Sequence, residues 1–328
     1  MYSGINNNMK IDYVVQVPND LFLAKICCNN ISLLNSTINR YQFDDDLGSI
    51  QKKIIDEMAS ESFQKQHSIE RIHLGENGDC FLNPHIVKIC RYIKKKLPNK
   101  KVRIFTNFAN LTPAISKILI SEKLVGWFWC NIDGKNGKNY YHVKCLDLRN
   151  TMKNLISFLN IRETEKANIP LTVTVCTLHN YIHKIYEKFG FYPTKLKDKS
   201  LINIPDDYED IRKIMYSLLK EGSDSFGRTR IFGWAEREKL IEKGFSQNYT
   251  CPHLGYLKKA AYFAPDGSWY ACCLDSNNEI LFGNVYKESI NEMYFGAKRK
   301  KFFERLEAKK YNEIGGPCKS IIGCVRLQ

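Results

Sequence analysis

The sequence predicts an α/β fold, a partial (β/α)6 barrel followed by a small cysteine-rich module. Two observations carry this prediction. Short runs rich in β-branched and aromatic residues alternate with segments whose apolar residues recur at helical spacing. Cysteines are also spread over the last part of the chain at spacings that suggest a module of its own. Alternation of strands and helices implies parallel strands joined by helical crossovers.

The predicted elements follow one another in a regular order along the chain. The predicted strands cover residues 11–17, 69–74, 102–106, 124–132, 171–177 and 228–232. The predicted helices cover 45–66, 84–97, 112–121, 148–163, 181–189 and 208–220. These units fit an open or partial barrel better than a closed barrel of eight units. We therefore place a barrel at residues 1–235 and the small module at 236–328.

Composition limits the class of protein. The chain has 328 residues, of which 44% are hydrophobic and 26% charged, as in ordinary globular proteins. It contains no apolar run long enough to predict a membrane span, and its polar start does not predict a secretory signal. Its 12 cysteines are too sparse for a disulfide scaffold. We therefore expect a cytoplasmic protein without a membrane partner, whose thiols are buried or bind metal.

The net charge of +14 leaves a nucleic-acid partner open. Basic residues cluster at 94–96, 100–101, 298–301 and 309–310. The clusters are scattered and lack interleaved aromatic residues, which favours solvated helix faces over a nucleic-acid surface.

Four C-terminal cysteines have spacing typical of a metal site. Cys251 is followed by fifteen residues, a glycine, four residues and Cys272, and Cys318 and Cys324 come later. Four thiolates can hold an iron–sulfur cluster or a structural zinc ion, and Cys273 is an alternative to Cys272. Buried core cysteines are the plainer interpretation. Between the two pairs, the dipeptide at 283–284 predicts a turn.

This spacing, with the phrase D-G-S-W-Y-A-C at 266–272, resembles the auxiliary-cluster module of radical S-adenosylmethionine (SAM) proteins, the SPASM/twitch domain. The resemblance implies an auxiliary [4Fe–4S] cluster held by Cys251, Cys272, Cys318 and Cys324. In that family such clusters bind substrate or relay electrons, and many members modify peptides or proteins. The implied partners are therefore a peptide or protein substrate and, for an active enzyme, an electron donor.

Three loops that follow predicted strands resemble SAM-binding phrases of the same family. The segment L-G-E-N-G-D-C at 74–80 is similar to the loop that grips the amino group of SAM. T-N-F-A-N at 106–110 and N-I-D-G at 131–134 are similar to phrases at the ends of the next two strands. For each loop, a polar turn that satisfies its own backbone is the simpler alternative. The resemblance implies cofactor contacts at Gly75, Glu76, Gly78, Asp79, Asn107, Asn131 and Asp133.

The loop after the first strand departs from the family. Radical SAM enzymes hold their SAM-cleaving cluster with a C-x3-C-x2-C loop, and alignment on the Pro-Asn at 18–19 places those positions at Leu21, Lys25 and Cys28. Leucine and protonated lysine cannot ligate iron. Either the protein has lost SAM cleavage, or Cys27, Cys28 and Cys80 rebuild the site. The other cysteines, at 90, 130, 145 and 176, are expected to be core thiols.

The leading prediction is a radical SAM/SPASM-like iron–sulfur protein that modifies a peptide or protein. The first alternative is a catalytically degenerate iron–sulfur protein that acts as a scaffold or an electron relay, which the lost cysteines favour. The second is a zinc-stabilised RNA-binding protein. Whether SAM is bound at all depends on the altered first loop.

Overall fold

The computed structural model describes residues 10–15, 49–75, 79–132, 137, 140, 146–176, 208–229, 250–251, 253–264, 266–273, 275 and 278–319. Its strands are β1 (Lys10–Val15), β2 (Ser68–Leu74), β3 (Lys101–Thr106), β4 (Trp127–Ile132), β5 (Leu171–Cys176), β6 (Ser225–Thr229), β7 (Ala260–Phe263), β8 (Ser268–Tyr270) and β9 (Leu281–Asn284). No helix within these ranges is long and apolar enough to cross a bilayer.

The helices lie between the strands and after them. They are α1 (Ser49–Ala59), α2 (Glu61–Gln66), α3 (Ile86–Lys96), α4 (Pro113–Ser121), α5 (Leu148–Thr164), α6 (Tyr208–Leu218), α7 (Leu254–Leu257), α8 (Ile290–Phe295), α9 (Ala297–Glu307), α10 (Tyr311–Ile314) and α11 (Gly316–Lys319). A short 3₁₀ helix, Cys80–Leu82, precedes α3.

The described strands form one sheet in the order β6-β5-β4-β3-β2-β1-β7-β8-β9. Every neighbouring pair from β6 to β7 is parallel, whereas β7–β8 and β8–β9 are antiparallel. The sequential order of β1 to β6, with helices between successive strands, is that of an open (β/α)6 unit. The predicted α/β fold is therefore confirmed.

The predicted elements differ from the structure mainly at their ends. The helix predicted over 45–66 is two helices, because Ser60 ends α1 and caps α2 by accepting a hydrogen bond from the backbone N of Phe63 (3.3 Å). The helix predicted from residue 84 begins at Ile86, after the 3₁₀ helix. The last barrel strand begins at Ser225 instead of 228. The helix predicted over 181–189 lies outside the described residues.

A buried ion pair fixes the start of β6. Arg162 of α5 donates two hydrogen bonds to the carboxylate of Asp224, at 2.8 and 2.6 Å. The backbone N–H groups of Leu171 and Lys220 also donate to this carboxylate, both at 2.8 Å. Burial would raise the pKa of Asp224, but the hydrogen bonds with Arg162 and with these N–H groups outweigh it and lower the pKa. The pair therefore joins α5 to the starts of β5 and β6.

The two faces of the barrel sheet differ in chemistry. One face packs against α3, α4 and α5 and forms the apolar core. Its strand residues alternate along the sequence, as they must on a pleated strand: Ile72, Leu74, Val102, Ile104, Phe128, Cys130, Ile132, Leu171, Val173 and Val175. The residues between them point to the opposite face, which we call the inner face.

The C-terminal module continues the barrel sheet. Strand β7 pairs with β1, with Asp12 opposite Ala260 and Val15 opposite Phe263. Helix α8 packs near the start of the barrel, where the carboxylate of Glu57 accepts a hydrogen bond from the backbone N of Ile290. The boundary predicted between 235 and 236 lies outside the described residues and stays a prediction.

The turn predicted at 283–284 lies further along the chain: both residues belong to β9, and the turn begins at Asn284, whose carbonyl accepts a hydrogen bond from the backbone N of Lys287 (2.9 Å). Gly283 lies opposite Trp269 of β8. A Cβ atom at Gly283 would lie 2.7 Å from the side chain of Met293 and 2.4 Å from that of Glu288. This glycine therefore allows α8 to pack closely on the strand, which is a second common use of glycine.

Candidate metal centre

Four cysteines of the C-terminal module line one small cavity. They come from three separate segments: before α7, after β8 and within α11. The full lining is Cys251, His253, Leu257, Cys272, Cys273, Leu306, Pro317 and Cys318. The structure thus brings together the predicted ligands Cys251, Cys272 and Cys318 with the alternative Cys273.

Cys251 is positioned by the start of α7. Its carbonyl accepts a hydrogen bond from the backbone N of Leu254 (3.2 Å). Burial raises the pKa of the Cys251 thiol, while hydrogen bonds from the backbone N–H groups of His253 and Leu254 act in the opposite direction. N–H groups that point at a cysteine sulfur stabilise the thiolate, which is the form that binds metal.

Cys272 is held by a turn that follows β8. The backbone N of Asp275 donates to the carbonyl of Cys272 (2.9 Å). The buried carboxylate of Asp275 in turn accepts hydrogen bonds from the backbone N–H groups of Glu279 and Ile280, both at 2.9 Å. This carboxylate therefore fixes the path of the chain from Cys272 to β9.

Two glycines bring Cys318 to the same cavity. Gly315 and Gly316 both have positive φ, 85° and 49°, which glycine adopts without steric cost. A Cβ atom at Gly316 would lie 3.2 Å from Ile280 and 3.3 Å from Glu279, so this segment packs closely on the turn that Asp275 holds. Cys318 therefore reaches Cys272 through backbone packing.

The glycine of the cysteine motif has a defined structural role. Gly267 has a φ of 80° in the turn between β7 and β8. Its N–H donates to the carbonyl of Ala264 (2.9 Å), and the N–H of Ala264 donates to the carbonyl of Ser268 (2.8 Å). An Asp-Gly pair at this place is typical of tight hairpins. The hairpin returns the chain so that Cys272 comes back toward Cys251.

Several predicted ligands lie outside the described residues, namely Cys324, Cys27 and Cys28. Within the described part of the chain, no three His, Cys, Asp or Glu side chains are grouped closely enough to hold a single metal ion. The cysteines of a [4Fe–4S] cluster each bind a different iron, so they surround a wider space than the ligands of one ion.

Gly75 directly follows the last residue of β2, and its backbone lies against β3. It has a φ of 93°, and a Cβ atom there would lie only 2.3 Å from the carbonyl oxygen of Phe105. Only glycine fits both restrictions. Glu76 and Gly78, the next predicted cofactor contacts, lie outside the described residues, as does Asp133.

Asp79 joins the loops that follow β2 and β3. Its buried carboxylate accepts hydrogen bonds from the Thr106 hydroxyl (2.8 Å), the backbone N of Asn107 (3.0 Å) and the backbone N of Phe81 (3.0 Å). All three donors come from the protein itself. The structure thus gives Asp79 a role in shaping the two loops, and a contact of Asp79 with SAM stays a prediction.

The loop after β3 contains a phenylalanine in a conformation that favours glycine. Phe108 has a φ of 63° and is fully buried. Its ring packs on Phe128 (5.8 Å between centroids) and Phe158 (5.5 Å). The Nδ2 group of Asn154 donates to the carbonyl of Phe108 (3.0 Å). The sequence resemblance places a glycine at this position, and the structure keeps the backbone conformation that glycine would adopt.

The two predicted asparagines make contacts within the protein. The side-chain oxygen of Asn107 accepts a hydrogen bond from the backbone N of Ala109 (2.8 Å). That of Asn131 accepts one from the hydroxyl of Thr174 on the neighbouring strand. Both residues stand at the carboxyl ends of their strands, where parallel sheets bind ligands. Their roles toward SAM remain predictions.

Cys80 lies in the apolar core. It is fully buried in the 3₁₀ helix before α3, and burial raises the pKa of its thiol well above the usual value. Its side chain belongs to the core cluster and is enclosed by other apolar side chains. This gives no support to a first cluster rebuilt from Cys27, Cys28 and Cys80. Cys90 and Cys130 are core thiols, as predicted.

Two residues of the site were missed by sequence reasoning. Asp275 follows Cys272 in the segment L-D-S-N-N-E, where an aspartate among turn-forming residues is a signal for a side-chain cap. His253 lies two positions after Cys251, but a histidine next to a cysteine has no fixed meaning in one sequence. In the structure, His253 is one of the residues that line the cavity.

Comparison with known proteins finds one family model that matches the segment containing these cysteines. Residues 251–324 match the model of the SPASM family, described as an iron–sulfur cluster-binding domain. No curated protein matches the chain by sequence.

Solved structures with a similar arrangement include BtrN in complex with AdoMet and 2-DOIA, with 13% identity over 95% of this chain and 93% of that chain, and a TM-score of 0.48. They also include SuiB of Streptococcus suis bound to the precursor peptide SuiA, with 11% identity over 88% and 65% of the chains and a TM-score of 0.49. The enzyme anSMEcpe with bound AdoMet matches with 14% identity over 96% and 84% and a TM-score of 0.47.

The family match begins at Cys251, spans Cys272 and Cys318 and ends at Cys324, which are the four cysteines that the spacing singles out. The predicted C-terminal iron–sulfur module is therefore confirmed. Residues 251–324 thus match the SPASM family of iron–sulfur cluster-binding domains, and the strands of this segment continue the sheet of an open α/β unit.

Proposed function

We propose that this chain is a radical SAM-type protein that uses an auxiliary [4Fe–4S] cluster to modify a peptide or protein. Cys251, Cys272, Cys318 and Cys324 would hold the auxiliary cluster. When bound, a cluster with four cysteine ligands would supply an electron-transfer centre beside the substrate.

One observation carries this proposal. Cysteines from three separate segments line one cavity inside the segment that matches the SPASM family. The donor set fits the cluster, because thiolates are the ligands of iron–sulfur centres. The surrounding side chains of Leu257, Leu306 and Pro317 are apolar, and an apolar shell limits access of solvent to a cluster.

SAM would bind at the carboxyl ends of β2, β3 and β4. The resemblance of the loops at 74–80, 106–110 and 131–134 supports this placement. In this chain Asp79 shapes the first two loops, and Asn131 lies at the end of the third strand. The peptide substrate is supported only by the family resemblance.

The alternative is a protein that has kept the auxiliary cluster but no longer cleaves SAM. Leu21 and Lys25 replace two of the expected cysteine ligands, and the burial of Cys80 in the apolar core disfavours it as a replacement. Such a protein would act as a scaffold or an electron relay.

Metal content distinguishes these cases. Iron and sulfide per chain would be measured after anaerobic reconstitution, with Mössbauer spectroscopy to identify the clusters. Cys251→Ala and Cys28→Ala would be compared, with Cys90→Ala as a control for loss of a core thiol. About four irons that disappear only with Cys251→Ala indicate one auxiliary cluster. About eight, half of them sensitive to Cys28→Ala, indicate a second cluster.

SAM cleavage tests the enzymatic half of the proposal. Reduced, reconstituted protein should form 5′-deoxyadenosine from SAM, and the Cys28→Ala variant should not. Absence of this product from protein with its full iron content would reject the enzyme and support the degenerate alternative. A colourless protein that contains zinc would reject both.

A further inference from the structure

The inner face of the barrel sheet carries an aromatic and cationic surface. It is formed by side chains that alternate with the apolar core residues of β2, β3 and β4. We call this set the aromatic ladder: His73, Arg103, Phe105, Trp127 and Trp129.

The members of the aromatic ladder stack on one another across the strands. The ring centroids of His73 and Phe105 lie 5.5 Å apart, and those of Phe105 and Trp129 also 5.5 Å. Trp127 and Trp129 are 5.6 Å apart on β4. The guanidinium of Arg103 lies 3.6 Å above the ring of Trp127. Phe105, Trp127 and Trp129 are only half-buried, so the ladder is not part of the closed core.

His73 has no hydrogen-bond partner for either ring nitrogen within the described part of the chain. Its exposed fraction is only 3%. A buried polar group without a partner destabilises the folded state, and such groups are uncommon in folded proteins. A bound ligand that hydrogen-bonds to His73 would remove this cost.

The charge around His73 is positive. Arg103 lies opposite His73 in the register of β2 and β3, and Arg71 is two residues before it on the same strand. Burial, then Arg103 and Arg71, lower the pKa of His73 to about 3, so its imidazole is neutral at pH 7. Glu70 forms an ion pair with Arg71 at 2.5 Å. A neutral imidazole beside two arginines offers an N–H donor and a positive potential to an anionic group.

A row of hydroxyl groups continues the inner face beyond the aromatic ladder. Trp129 Nε1 donates to the hydroxyl of Thr174 (2.9 Å), and Ser225 donates to the hydroxyl of Thr172 (3.0 Å). Thr172 and Ser225 lie opposite each other on β5 and β6. Hydroxyl groups both donate and accept hydrogen bonds, as the amide groups of a peptide require.

We infer that the inner face binds an acidic peptide, with a Glu or Asp carboxylate at His73 and Arg103 and the adjoining peptide groups packed against the parts of Trp127 and Trp129 that remain exposed. This inference rests on the proposed function, since it names the class of substrate for the same barrel. A peptide carries both the carboxylate and the planar amides in one molecule, which matches the two chemistries of the face.

Peptide binding can be measured on the full reconstituted chain. The probe is a short synthetic peptide of alternating glutamate and glycine, and its control is the glutamine–glycine peptide of the same length. Binding would be followed by calorimetry and by the fluorescence of the tryptophans. We expect the glutamate peptide to bind at least about tenfold more tightly, as one charge-assisted hydrogen bond would produce.

Two variants and a matched control locate the surface. His73→Phe and Arg103→Gln should each weaken binding of the glutamate peptide about tenfold or more. His73→Phe should fold at least as well as the parent protein, because phenylalanine has no nitrogen to satisfy. Arg91→Gln removes an equal charge from α3, on the opposite side of the sheet, and should leave the affinity unchanged.

Three results would overturn the inference. They are equal affinity for the two peptides, equal loss of affinity in Arg91→Gln and Arg103→Gln, and displacement of the peptide by inorganic phosphate at a lower concentration than by glutamate. The Cys251→Ala variant separates this inference from the proposed function, because loss of the cluster should leave peptide binding to β2–β4 intact. If the parent chain binds the peptide but takes up no iron on reconstitution, the cluster is rejected and the peptide surface is not.

Discussion

The carboxylate of Asp79 accepts a hydrogen bond from the hydroxyl of Thr106, 2.8 Å away, and so ties the loop after β2 to the end of β3. Thr106 in turn accepts a hydrogen bond from the backbone N of Phe108 (2.9 Å). A chain of hydrogen bonds therefore runs from one strand-end loop to the next. These loops are where the sequence predicts SAM, so their relative position decides whether a binding site forms.

Replacing Asp79 with asparagine should destabilise the protein by about 2 kcal/mol, because an amide cannot accept from all three donors. Thr106→Val should cost about 1 kcal/mol, and the double variant should cost less than the sum. Urea unfolding at neutral pH measures all three. Asp147→Asn at the start of α5 is the control, since asparagine caps a helix as well as aspartate does. Additive costs would show that Asp79 and Thr106 act independently.

Gly75→Ala should destabilise the protein severely, because the new Cβ atom meets the carbonyl oxygen of Phe105 at 2.3 Å. Gly222→Ala is a matched control. Gly222 has a similar φ of 77°, but a Cβ atom there would have no neighbouring atom within 4 Å. It should therefore lose only about 1 kcal/mol through backbone strain. Similar unfolding midpoints for the two variants would contradict the steric explanation.

Phe108→Gly should be more stable than Phe108→Ala by about 1 kcal/mol, although both lose the same buried ring. The reason is the φ of 63°, which alanine adopts only with strain. The order should reverse at Phe158 in α5, where glycine is worse than alanine by about 1 kcal/mol. Chemical denaturation of the four variants provides the comparison, and the same order at both positions would exclude backbone strain at Phe108.

Cys272→Ala should lower the iron content of reconstituted protein, whereas Cys273→Ala should leave most of it. Asp275 fixes the backbone of Cys272 directly, through the hydrogen bond from its N–H group to the Cys272 carbonyl. Both cysteines line the cavity, so each variant removes one thiol from the same wall. Iron analysis and the visible spectrum distinguish them. Greater loss of iron with Cys273→Ala would show that Cys273, and not Cys272, is the ligand.

His73 should make stability fall in acid. Its pKa in the folded protein is lowered to about 3 from 6.5, so the unfolded chain takes up the proton first. The stabilisation is complete above pH 6.5 and is lost as the pH falls toward 3. The free energy of unfolding falls by about 1.4 kcal/mol for each pH unit in this range. Urea unfolding of the parent and of His73→Phe between about pH 7 and pH 4 gives the difference. Parallel curves would mean that His73 has the same pKa in the folded protein as in the unfolded chain.

The sheet could be predicted because its signals are local. Strands β3, β4 and β5 carry apolar residues at alternate positions, and helices follow the strands at regular distances along the chain. Element ends were harder, because Ser60 divides a continuous helical pattern with one side-chain hydrogen bond. Gly283 was misread for a related reason, since a glycine that allows helix packing looks the same in a sequence as one that turns the chain.

The candidate sites could be predicted only in part. Cysteine spacing predicted that Cys251, Cys272 and Cys318 lie together, and the structure places all three in the lining of one cavity. The aromatic ladder was not predicted, since its members come from three strands and meet only through the register of the sheet. Nothing in the sequence near His73 indicates that Phe105 and Trp129 continue its stack.

The pairing of β1 with β7 has a consequence for synthesis on the ribosome. Strand β1 is made early, but one of its two neighbours does not emerge until the region of Ala260 has been translated. Until then β1 has an open edge, which is where incorrect pairing with other chains begins. The strand that completes this edge is also the first strand of the hairpin that leads to Cys272. Closure of the nascent sheet and maturation of the metal centre are therefore expected to occur as one late event.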